Sequence, residues 1–469
     1  MEKSFVPSEP SDFLMRGNKL FGTNGVRGIV NESMTALMAM RLGESLATYL
    51  HREGVKRGVV AIGRDTRISA EMLGSAARSG LLSCGCVVVD IGIVPTPALQ
   101  YYVRENADAG IMVTASHNPR EYNGIKLVAG DGAEFSRESE AEVERIYHEE
   151  EPYRAKWNET GDLRYDKLAV ERYIDGILGL VDVDGIRSAR LRVVVDTGCG
   201  AGSVVTPFLL SRLGCEVITL NAQLDGTFPS RNPEPTEDAL GELIDLVKTS
   251  GADLGIAHDG DADRIALVDE RGSFINEEVL LAMMADQILS QRKGSVVTPV
   301  SSSLRIRDVV ESHGCELVWT AVGSIDVEQK MREIGAVFGG EGNGGLIFPE
   351  LQYCRDGAMS AAKILEILAG KTTLSEIARR VPEYHTLKAK IPIHDPQAAM
   401  ESVARAIEGE QVDTTDGLKV WYDDSWALIR PSGTEPLIRV YAESKKRARA
   451  EEILARFTEI VKSAEAKPQ

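Results

Sequence analysis

A strand–loop–helix pattern that occurs three times is the feature that most constrains the fold of this chain of 469 residues. In each occurrence a segment rich in β-branched residues runs into a loop of small or polar residues and then into a helical stretch. The first segments of the three units lie at residues 58–62, 191–195 and 295–300. Strands that alternate with helices are typical of α/β layers. The sequence therefore predicts three related α/β domains.

Each unit continues with a second and a third predicted strand. The second strands lie at residues 87–90, 216–220 and 316–320, and the third at 110–113, 254–257 and 337–338. Each third strand runs directly into a loop that carries polar or glycine residues. Ligands of open α/β sheets bind beyond the carboxyl ends of the strands. The three loops are therefore expected to contribute to one functional site.

The C-terminal part of the chain follows a different pattern. Strands are predicted at 425–429 and 437–442, and a helix at 446–462, which indicates a smaller α+β domain. A mass of 51.0 kDa is too large for a single core. The predicted fold class is α/β, with three related α/β domains with mixed sheets plus a smaller C-terminal α+β domain. The predicted domains are residues 1–153, 154–253, 254–371 and 372–469.

The net charge of −18, from 53 Lys+Arg against 71 Asp+Glu, makes nucleic acid an unsuitable partner. We find no signal-peptide pattern and no apolar run of about 18 residues, so a cytoplasmic protein without a membrane partner is expected. The six cysteines are scattered and predict reduced thiols. An anionic ligand would need a local cluster of cationic side chains. The candidates are Arg27, Lys126, Arg264, Arg430 and Arg439.

A serine and a group of aspartates follow two of the third strands. Ser116 lies in the run Thr-Ala-Ser-His-Asn-Pro, and Asp259, Asp261 and Asp263 alternate in a loop that ends at Arg264. Three carboxylates at this spacing can surround a hard divalent cation such as Mg²⁺, and a hydroxyl can act as a nucleophile. Taken singly, the two runs are also compatible with a polar turn and a solvated acidic turn. Together they indicate metal-assisted phosphoryl transfer through a serine.

Two further loops have the composition of ligand-binding segments. Glu341 and Asn343 stand among glycines at 339–345, where the backbone can approach a ligand while a carboxylate and an amide bind hydroxyl groups. A plain glycine-rich turn is the alternative. The run 430–436 combines a guanidinium, two hydroxyls and backbone N–H groups, which suits a bound phosphate. Its candidate phosphate ligands are Arg430, Ser432, Gly433 and Thr434, with Arg439 just beyond.

These four runs, in this order, resemble those of the α-D-phosphohexomutases, which interconvert 6-phospho and 1-phospho sugars through a phosphoserine. The resemblance covers residues from about 20 to 445. It implies that Ser116 carries the phosphoryl group, that the phosphoserine and the three aspartates hold Mg²⁺, and that a bisphosphorylated sugar activates the enzyme. Arg264, Glu341, Asn343 and the 430–439 segment are implied to bind the substrate.

The resemblance also implies roles for residues around the serine. Lys126 matches a lysine that assists proton transfer, and His117 is implied to hydrogen-bond or to transfer a proton. Arg27, in the glycine-rich loop 21–28, is implied to neutralise the transferred phosphate. Arg64 and Asp65 are candidates for supporting this centre. His258, which precedes the aspartates, is expected to be structural.

The preferred sugar is less defined. Ala115 and the 430–436 run resemble phosphoglucosamine mutases, which interconvert glucosamine 6-phosphate and glucosamine 1-phosphate. The bacterial form of that subfamily, however, has a serine at the position of Asn343 and a histidine at that of Gly345. The loop found here, with residues 352–357 after it, resembles the archaeal branch. Phosphomannomutase or phosphoglucomutase activity is the alternative; a serine-dependent phosphatase and a non-catalytic sensor are weaker ones. A monomer or homodimer is expected.

Overall fold

The structure, a computed structural model, describes residues 20–22, 24–431 and 437–465. Four β-sheets follow one another along this part of the chain and contain six, five, four and five strands. The first three sheets are mixed and carry helices, and the fourth is antiparallel. The predicted fold class, three related α/β domains followed by an α+β domain, is confirmed.

The first sheet has the strand order β1-β5-β4-β2-β3-β6. Its strands are β1 (Val26–Ile29), β2 (Val59–Arg64), β3 (Val87–Ile93), β4 (Ala109–Val113), β5 (Tyr122–Ala129) and β6 (Leu163–Tyr165). The accompanying helices are α1 (Ala36–Arg52), α2 (Ala70–Ser83), α3 (Thr96–Asn106) and α4 (Arg137–Glu149), and the helices α5 (Ala169–Leu178) and α6 (Val183–Ala189) follow the last strand of this sheet along the chain. Thr35 and Ser136 start α1 and α4 because their side chains accept backbone N–H groups of the first turn.

The second sheet has the strand order β11-β10-β9-β7-β8. Its strands are β7 (Arg192–Asp196), β8 (Glu216–Leu220), β9 (Leu254–His258), β10 (Ile265–Asp269) and β11 (Phe274–Ile275), with helices α7 (Thr206–Arg212) and α8 (Gly241–Ser250). Every residue of β9 and β10 is buried. The turn between these two strands is therefore held by two strands of the core.

The third sheet has the strand order β13-β12-β14-β15. Its strands are β12 (Val296–Pro299), β13 (Leu317–Thr320), β14 (Phe338–Glu341) and β15 (Gly345–Ile347). The helices of this region are α9 (Glu277–Gln291), α10 (Leu304–Ser312), α11 (Ser324–Ile334), α12 (Gly357–Ala369) and α13 (Leu374–Ala378). Asn276 and Asp356 cap α9 and α12 with their side chains.

The three mixed sheets share one arrangement of four strands. In each, the first strand of the unit is central, the second and third flank it in parallel, and a fourth strand returns antiparallel to the third. The returning strands β5, β10 and β15 are not part of the sequence-based prediction. Each forms a hairpin whose turn carries one of the polar loops, so the three loops occupy equivalent positions.

The fourth sheet has the strand order β16-β20-β19-β18-β17. Its strands are β16 (His385–Pro392), β17 (Val412–Asp413), β18 (Leu418–Trp421), β19 (Ser425–Pro431) and β20 (Leu437–Ser444), with helices α14 (Pro396–Ala406) and α15 (Arg447–Glu465). This region has its own hydrophobic core. We refer to residues 385–465 as the cap.

Two sheets extend beyond the predicted domain boundaries. The strand β6 pairs with β3, so the first sheet continues past residue 153. The strand β9 pairs with β7, and β10 and β11 follow in the same sheet, so the second sheet continues past residue 253. We propose boundaries near residues 166 and 276, because a chain segment that completes a sheet folds with that sheet.

A buried lysine lies where the cap meets the third sheet. The Nζ atom of Lys419 donates a hydrogen bond to the carbonyl oxygen of Val300. Three indole rings surround this amino group, whose pKa burial lowers to about 7, with centroids 4.7, 3.9 and 4.1 Å away for Trp319, Trp421 and Trp426. Aromatic faces stabilise a cation at these distances. The lysine, with its tryptophans, joins the cap to the third sheet.

Two further observations bear on the composition. All six cysteines are free, and four of them are buried. Within the described residues, none of the helices is long and apolar enough to cross a membrane.

Candidate active site

The three hairpin turns and the cap border one cleft of about 670 Å³. The turn after β4 carries Ser116, the turn after β9 carries the three aspartates, and the turn after β14 carries the glycine-rich loop with Asn343. Residues from all four sheet regions line the cleft; they include Arg27, His117, Arg264, Glu341, Asn343, Arg355 and Arg439. Several of the predicted site residues therefore lie at one cleft.

Ser116 is fully buried and directly precedes His117, which lines this cleft. Its Oγ atom donates a hydrogen bond to Oδ2 of Asp259 at 2.6 Å and lies 3.4 Å from Nδ1 of His117. Its φ angle is 50°, in the left-handed region that non-glycine residues rarely adopt. A backbone held in this region requires support from the surrounding structure.

That support comes from Arg67, which the sequence analysis did not identify. Its side chain is buried, and its terminal nitrogens donate to the carbonyl oxygens of four residues. These are Ser116, Asn118, Pro119 and Tyr122. Its Nε atom pairs with Oδ2 of Asp65 at 3.1 Å, and the same oxygen accepts from Thr114 at 2.7 Å. Asp65 thus supports the serine loop as predicted, whereas Arg64 pairs with Asp90 and Glu71 instead.

The three aspartates of the second loop form a compact group of buried carboxylates. One oxygen of each lies within 4.8 Å of the others. Oδ1 of Asp261 and Oδ1 of Asp263 are buried and have no hydrogen-bond partner among the described residues. Burial and the charges of the two neighbouring carboxylates raise the pKa of Asp259 well above its usual range. A bound divalent cation would relieve the repulsion between the carboxylates and coordinate the oxygens that lack a hydrogen bond, so the residues fit such an ion.

Lys126 provides part of the charge balance at this group. Its Nζ atom contacts Oδ2 of Asp261 at 2.7 Å and Oδ2 of Asp263 at 3.2 Å. Although burial opposes it, the charges of these two aspartates raise the pKa of Lys126. Thr96, at the start of α3, also donates to Oδ2 of Asp261 at 2.5 Å. Hydrogen bonds from protein side chains therefore hold the Oδ2 atoms of Asp261 and Asp263 in place.

A second buried arginine, Arg231, holds the start of the aspartate loop. It donates to the carbonyl oxygen of His258 at 2.7 Å and pairs with Asp196 at 2.8 Å. His258 itself is buried between Thr206 and the carbonyl oxygen of Arg264. Burial lowers the pKa of His258 to about 4. These contacts agree with the structural role predicted for this histidine.

Cationic side chains from two loops line the cleft. Nη1 of Arg27 donates to Oδ1 of Asn118 in the serine loop at 2.7 Å, and Arg264 directly follows the aspartates of the second loop. Burial, together with the charges of Arg264 and Arg27, lowers the pKa of His117 to about 3. The imidazole beside Ser116 is therefore neutral at physiological pH.

The third loop brings Glu341 and Asn343 to the cleft. Nδ2 of Asn343 lies 3.4 Å from Oε2 of Glu341, and Oδ1 of Asn343 accepts from the backbone N–H of Gly345. Arg355 also contacts Oε2 of Glu341, at 3.0 Å, and Oδ2 of Asp263, at 2.6 Å. The sequence analysis gave Arg355 no role, although this residue lies in the 352–357 run that resembles the archaeal branch.

The cap contributes Arg430 and Arg439, which are cross-strand partners on β19 and β20. Nε of Arg430 donates to Oδ1 of Asp416 at 2.7 Å. Oδ2 of Asp416 accepts from the backbone N–H of Val322, beside the cleft. Ser432, Gly433 and Thr434 lie outside the described residues.

A hydroxyl held against three buried carboxylates, in a cleft lined by arginines from several domains, is suited to moving a phosphoryl group on a small anionic substrate. Together with the fold, this site defines a phosphohexomutase. Family models for the α/β/α domains I, II and III of phosphoglucomutase/phosphomannomutase match residues 18–154, 171–272 and 276–384. The model for the C-terminal domain matches residues 376–460. The chain belongs to the phosphoglucomutase/phosphomannomutase family.

Individual relatives align with this chain over nearly its whole length. A curated phosphoglucomutase/phosphomannomutase of Thermococcus kodakarensis is 47% identical over 443 residues, covering 93% of this chain and 97% of that protein. A probable phosphoglucosamine mutase of Methanopyrus kandleri is 44% identical, covering 95% and 98%. A solved structure of a phosphoglucomutase/phosphomannomutase family protein from Burkholderia thailandensis superposes with a TM-score of 0.86 at 28% identity, covering 96% and 98%.

These comparisons confirm the family predicted from the four motif runs. The protein is an isomerase, an intramolecular phosphotransferase that acts on sugar phosphates.

Proposed function

We propose that the protein is a phosphoglucosamine mutase that interconverts glucosamine 6-phosphate and glucosamine 1-phosphate through a phosphorylated Ser116. The observation that supports the phosphoserine most directly is the 2.6 Å contact between Ser116 Oγ and Asp259 Oδ2 in a cleft large enough for a sugar phosphate. In this proposal the Oγ atom of Ser116 would carry the phosphoryl group beside a group of carboxylates suited to a cation. Relatives named as probable phosphoglucosamine mutases support the choice of sugar.

The sugar phosphate is proposed to bind with its phosphate at Arg430 and Arg439 of the cap and its free hydroxyl toward Ser116. In the first transfer the bond between phosphorus and Ser116 Oγ breaks, and a bond between phosphorus and the sugar hydroxyl oxygen forms. The sugar hydroxyl loses a proton, and Ser116 Oγ gains one. His117, whose Nδ1 atom lies 3.4 Å from Ser116 Oγ, and Lys126, which contacts the aspartate group through Asp261, are the candidates to hold or move these protons.

Mg²⁺, held by Asp259, Asp261, Asp263 and the phosphorylated Ser116, would neutralise the negative charge that develops on the phosphoryl group. Arg27 and Arg264, which both line the cleft, would add positive charge around the transferred phosphoryl group. The protein's own contacts to the Oδ2 atoms of Asp261 and Asp263 fix the direction of these two carboxylates.

The product of the first transfer is a bisphosphorylated sugar, which must turn end for end before its other phosphate returns to Ser116. The same bisphosphate, added from solution, is proposed to activate dephosphorylated enzyme. Binding residues from all four sheet regions enclose the cleft and limit access of water to the phosphoserine.

Activity on mannose or glucose phosphates by the same mechanism is the second candidate. The relative of Thermococcus kodakarensis, named a phosphoglucomutase/phosphomannomutase, favours it. The cytoplasmic location and the monomeric or dimeric state stay predictions.

Turnover of three substrates tests the proposal. Purified protein would be incubated with Mg²⁺, glucose 1,6-bisphosphate and the 1-phosphate of glucosamine, glucose or mannose, and the 6-phosphate product and inorganic phosphate would be measured. Highest kcat/KM on glucosamine 1-phosphate with little free phosphate supports the proposal, and a preference for glucose or mannose supports the second candidate. Phosphate release without product would identify a phosphatase, and neither activity would indicate a sensor.

A further inference from the structure

We propose that Arg355 is a positioning residue that joins the sugar-binding loop to the metal loop and fixes which oxygen of each carboxylate faces its ligand. Arg355 bridges Glu341 on β14 and Asp263 after β9, at 3.0 and 2.6 Å, and so links two different sheets. The inference rests on the proposed function, since a sugar is taken as the ligand of Glu341.

The contacts of Arg355 are selective for one oxygen of each partner. On Glu341 both Arg355 and Asn343 contact Oε2, which leaves Oε1 as the oxygen to accept a sugar hydroxyl. On Asp263 both Arg355 and Lys126 contact Oδ2, whereas Oδ1 is buried without a hydrogen-bond partner among the described residues. Arg355 therefore orients one carboxylate toward the sugar and another toward the cation.

Arg355 is itself built into the wall of the cleft. Only 5% of the residue is exposed, yet it lines the cleft, and its Nε atom is buried without a hydrogen-bond partner in the described part of the chain. Its backbone is fixed by a bridge to Ile347 of β15. The next residue, Asp356, caps α12 and accepts a 2.5 Å hydrogen bond from Tyr173 of α5.

The room for the Arg355 side chain comes from Gly345. A Cβ atom at this position would lie 2.3 Å from Cδ of Arg355 and 3.0 Å from its Cγ. Gly345 is the cross-strand partner of Glu341 in the β14–β15 hairpin. A side chain at 345 would push the guanidinium away from both carboxylates. The glycine and the arginine therefore act as a pair.

This pairing can be tested by a double-mutant cycle of Gly345→Ala and Arg355→Ala. Each single variant is expected to raise KM for glucosamine 1-phosphate, and the dissociation constant of Mg²⁺ measured by calorimetry on dephosphorylated protein, by about tenfold. In the Arg355→Ala background the added Cβ atom at position 345 no longer meets the arginine side chain. Gly345→Ala should therefore raise each of the two constants by less than about a further twofold. Arg355→Lys, which keeps the charge but not the two-pronged geometry, should restore only one of the two affinities.

Arg212→Ala serves as the control, because this exposed arginine pairs with Asp175 outside the cleft and should change neither KM nor Mg²⁺ affinity. Thermal unfolding of each variant separates misfolding from mispositioning. If the Arg355 and Gly345 variants are folded and keep parental affinities, or if their effects are additive, the inference is overturned. Absence of mutase turnover in the parent would instead overturn the proposed function.

Discussion

Ser116 and Asp259 lie 143 residues apart in the chain, and the Oγ atom of the serine donates a 2.6 Å hydrogen bond to the carboxylate of the aspartate. The two residues occupy the equivalent turns of two repeated hairpins, one after β4 and one after β9. The serine and the carboxylate group are therefore placed together by the packing of two sheets.

The first prediction is that Ser116→Ala abolishes mutase turnover and leaves sugar-phosphate binding largely intact, because the residues proposed to bind the sugar and its phosphate lie on other loops. Turnover with glucose 1,6-bisphosphate present and the Kd of glucosamine 1-phosphate check it. Ser45→Ala, at a buried serine of α1, is the control. Substantial turnover by Ser116→Ala in a clean preparation would show that Ser116 is not the residue that carries the phosphoryl group.

Asp261→Asn is expected to weaken Mg²⁺ binding at least about tenfold and to lower kcat, because the variant loses one of the three negative charges at the site. Isothermal calorimetry with Mg²⁺ and the metal dependence of turnover measure the two effects. Chelation of the metal should likewise stop turnover of the parent. Asp184→Asn, at an exposed aspartate of α6, is the control; parental metal dependence in Asp261→Asn would exclude this group as the site.

Arg67→Lys should leave the protein folded and reduce kcat by about ten- to a hundredfold. A lysine keeps the charge but cannot contact Asp65 and four carbonyl oxygens together, so the serine loop shifts. Arg57→Lys, at an exposed ion pair of the same domain, should have no effect. Circular dichroism confirms the fold, and an unchanged kcat would show that the loop keeps its geometry without Arg67.

Arg430→Ala should weaken substrate binding about ten- to a hundredfold and increase the release of the bisphosphate, since charge-assisted hydrogen bonds to phosphate are lost. Both directions of the reaction should suffer, because either end of the sugar is held there in turn. Kd on dephosphorylated protein and the fraction of bisphosphate released per turnover are the measurements. Arg447→Ala on α15 is an exposed control, and parental values in Arg430→Ala would show that the phosphate is bound elsewhere.

The stability of the protein should depend on pH through Glu278, at the start of α9. Burial, reinforced by the charge of Glu443, raises the pKa of Glu278 from 4.5 to about 7. The folded state thus binds the proton more tightly, so this stabilising contribution is present below pH 4.5 and is lost as the pH rises through 7.

Glu278→Gln should therefore be more stable than the parent at pH 8, by about 1–3 kcal/mol, and show no such gain at pH 4.5. Urea unfolding at both pH values measures this difference, with the exposed Glu311→Gln as control. Equal stability of Glu278→Gln and parent at pH 8 would contradict the prediction.

Much of the fold follows from local patterns. The predicted strands at 216–220 and 254–257 agree with β8 and β9 to within one residue, because their apolar runs are bounded by polar loops. The returning strands β5, β10 and β15 were missed. These strands directly follow the polar turns, whose motifs were interpreted as functional loops and not as hairpin turns. In addition, β15 spans only three residues.

The structure brings the serine and aspartates together as the motifs imply. The residues that hold these loops in place, however, could not be predicted from the local sequence. Arg67, Arg231 and Arg355 contact partners that lie 14 to 92 residues away as well as close neighbours. The position of a single arginine in the sequence does not indicate which distant residues it contacts. Only the unusual Gly345, beside Glu341, offers a sequence signal for Arg355.

The indole rings around Lys419 give the protein a built-in optical reporter. Three of its four tryptophans stand at the joint between the cap and the third sheet, whereas Trp157 is 89% exposed and emits as a solvated indole. A displacement of the cap would change the distance between the amino group and Trp319, and with it the blue part of the emission spectrum. Intrinsic fluorescence in a stopped-flow instrument would therefore follow movement of the cap in unlabelled protein.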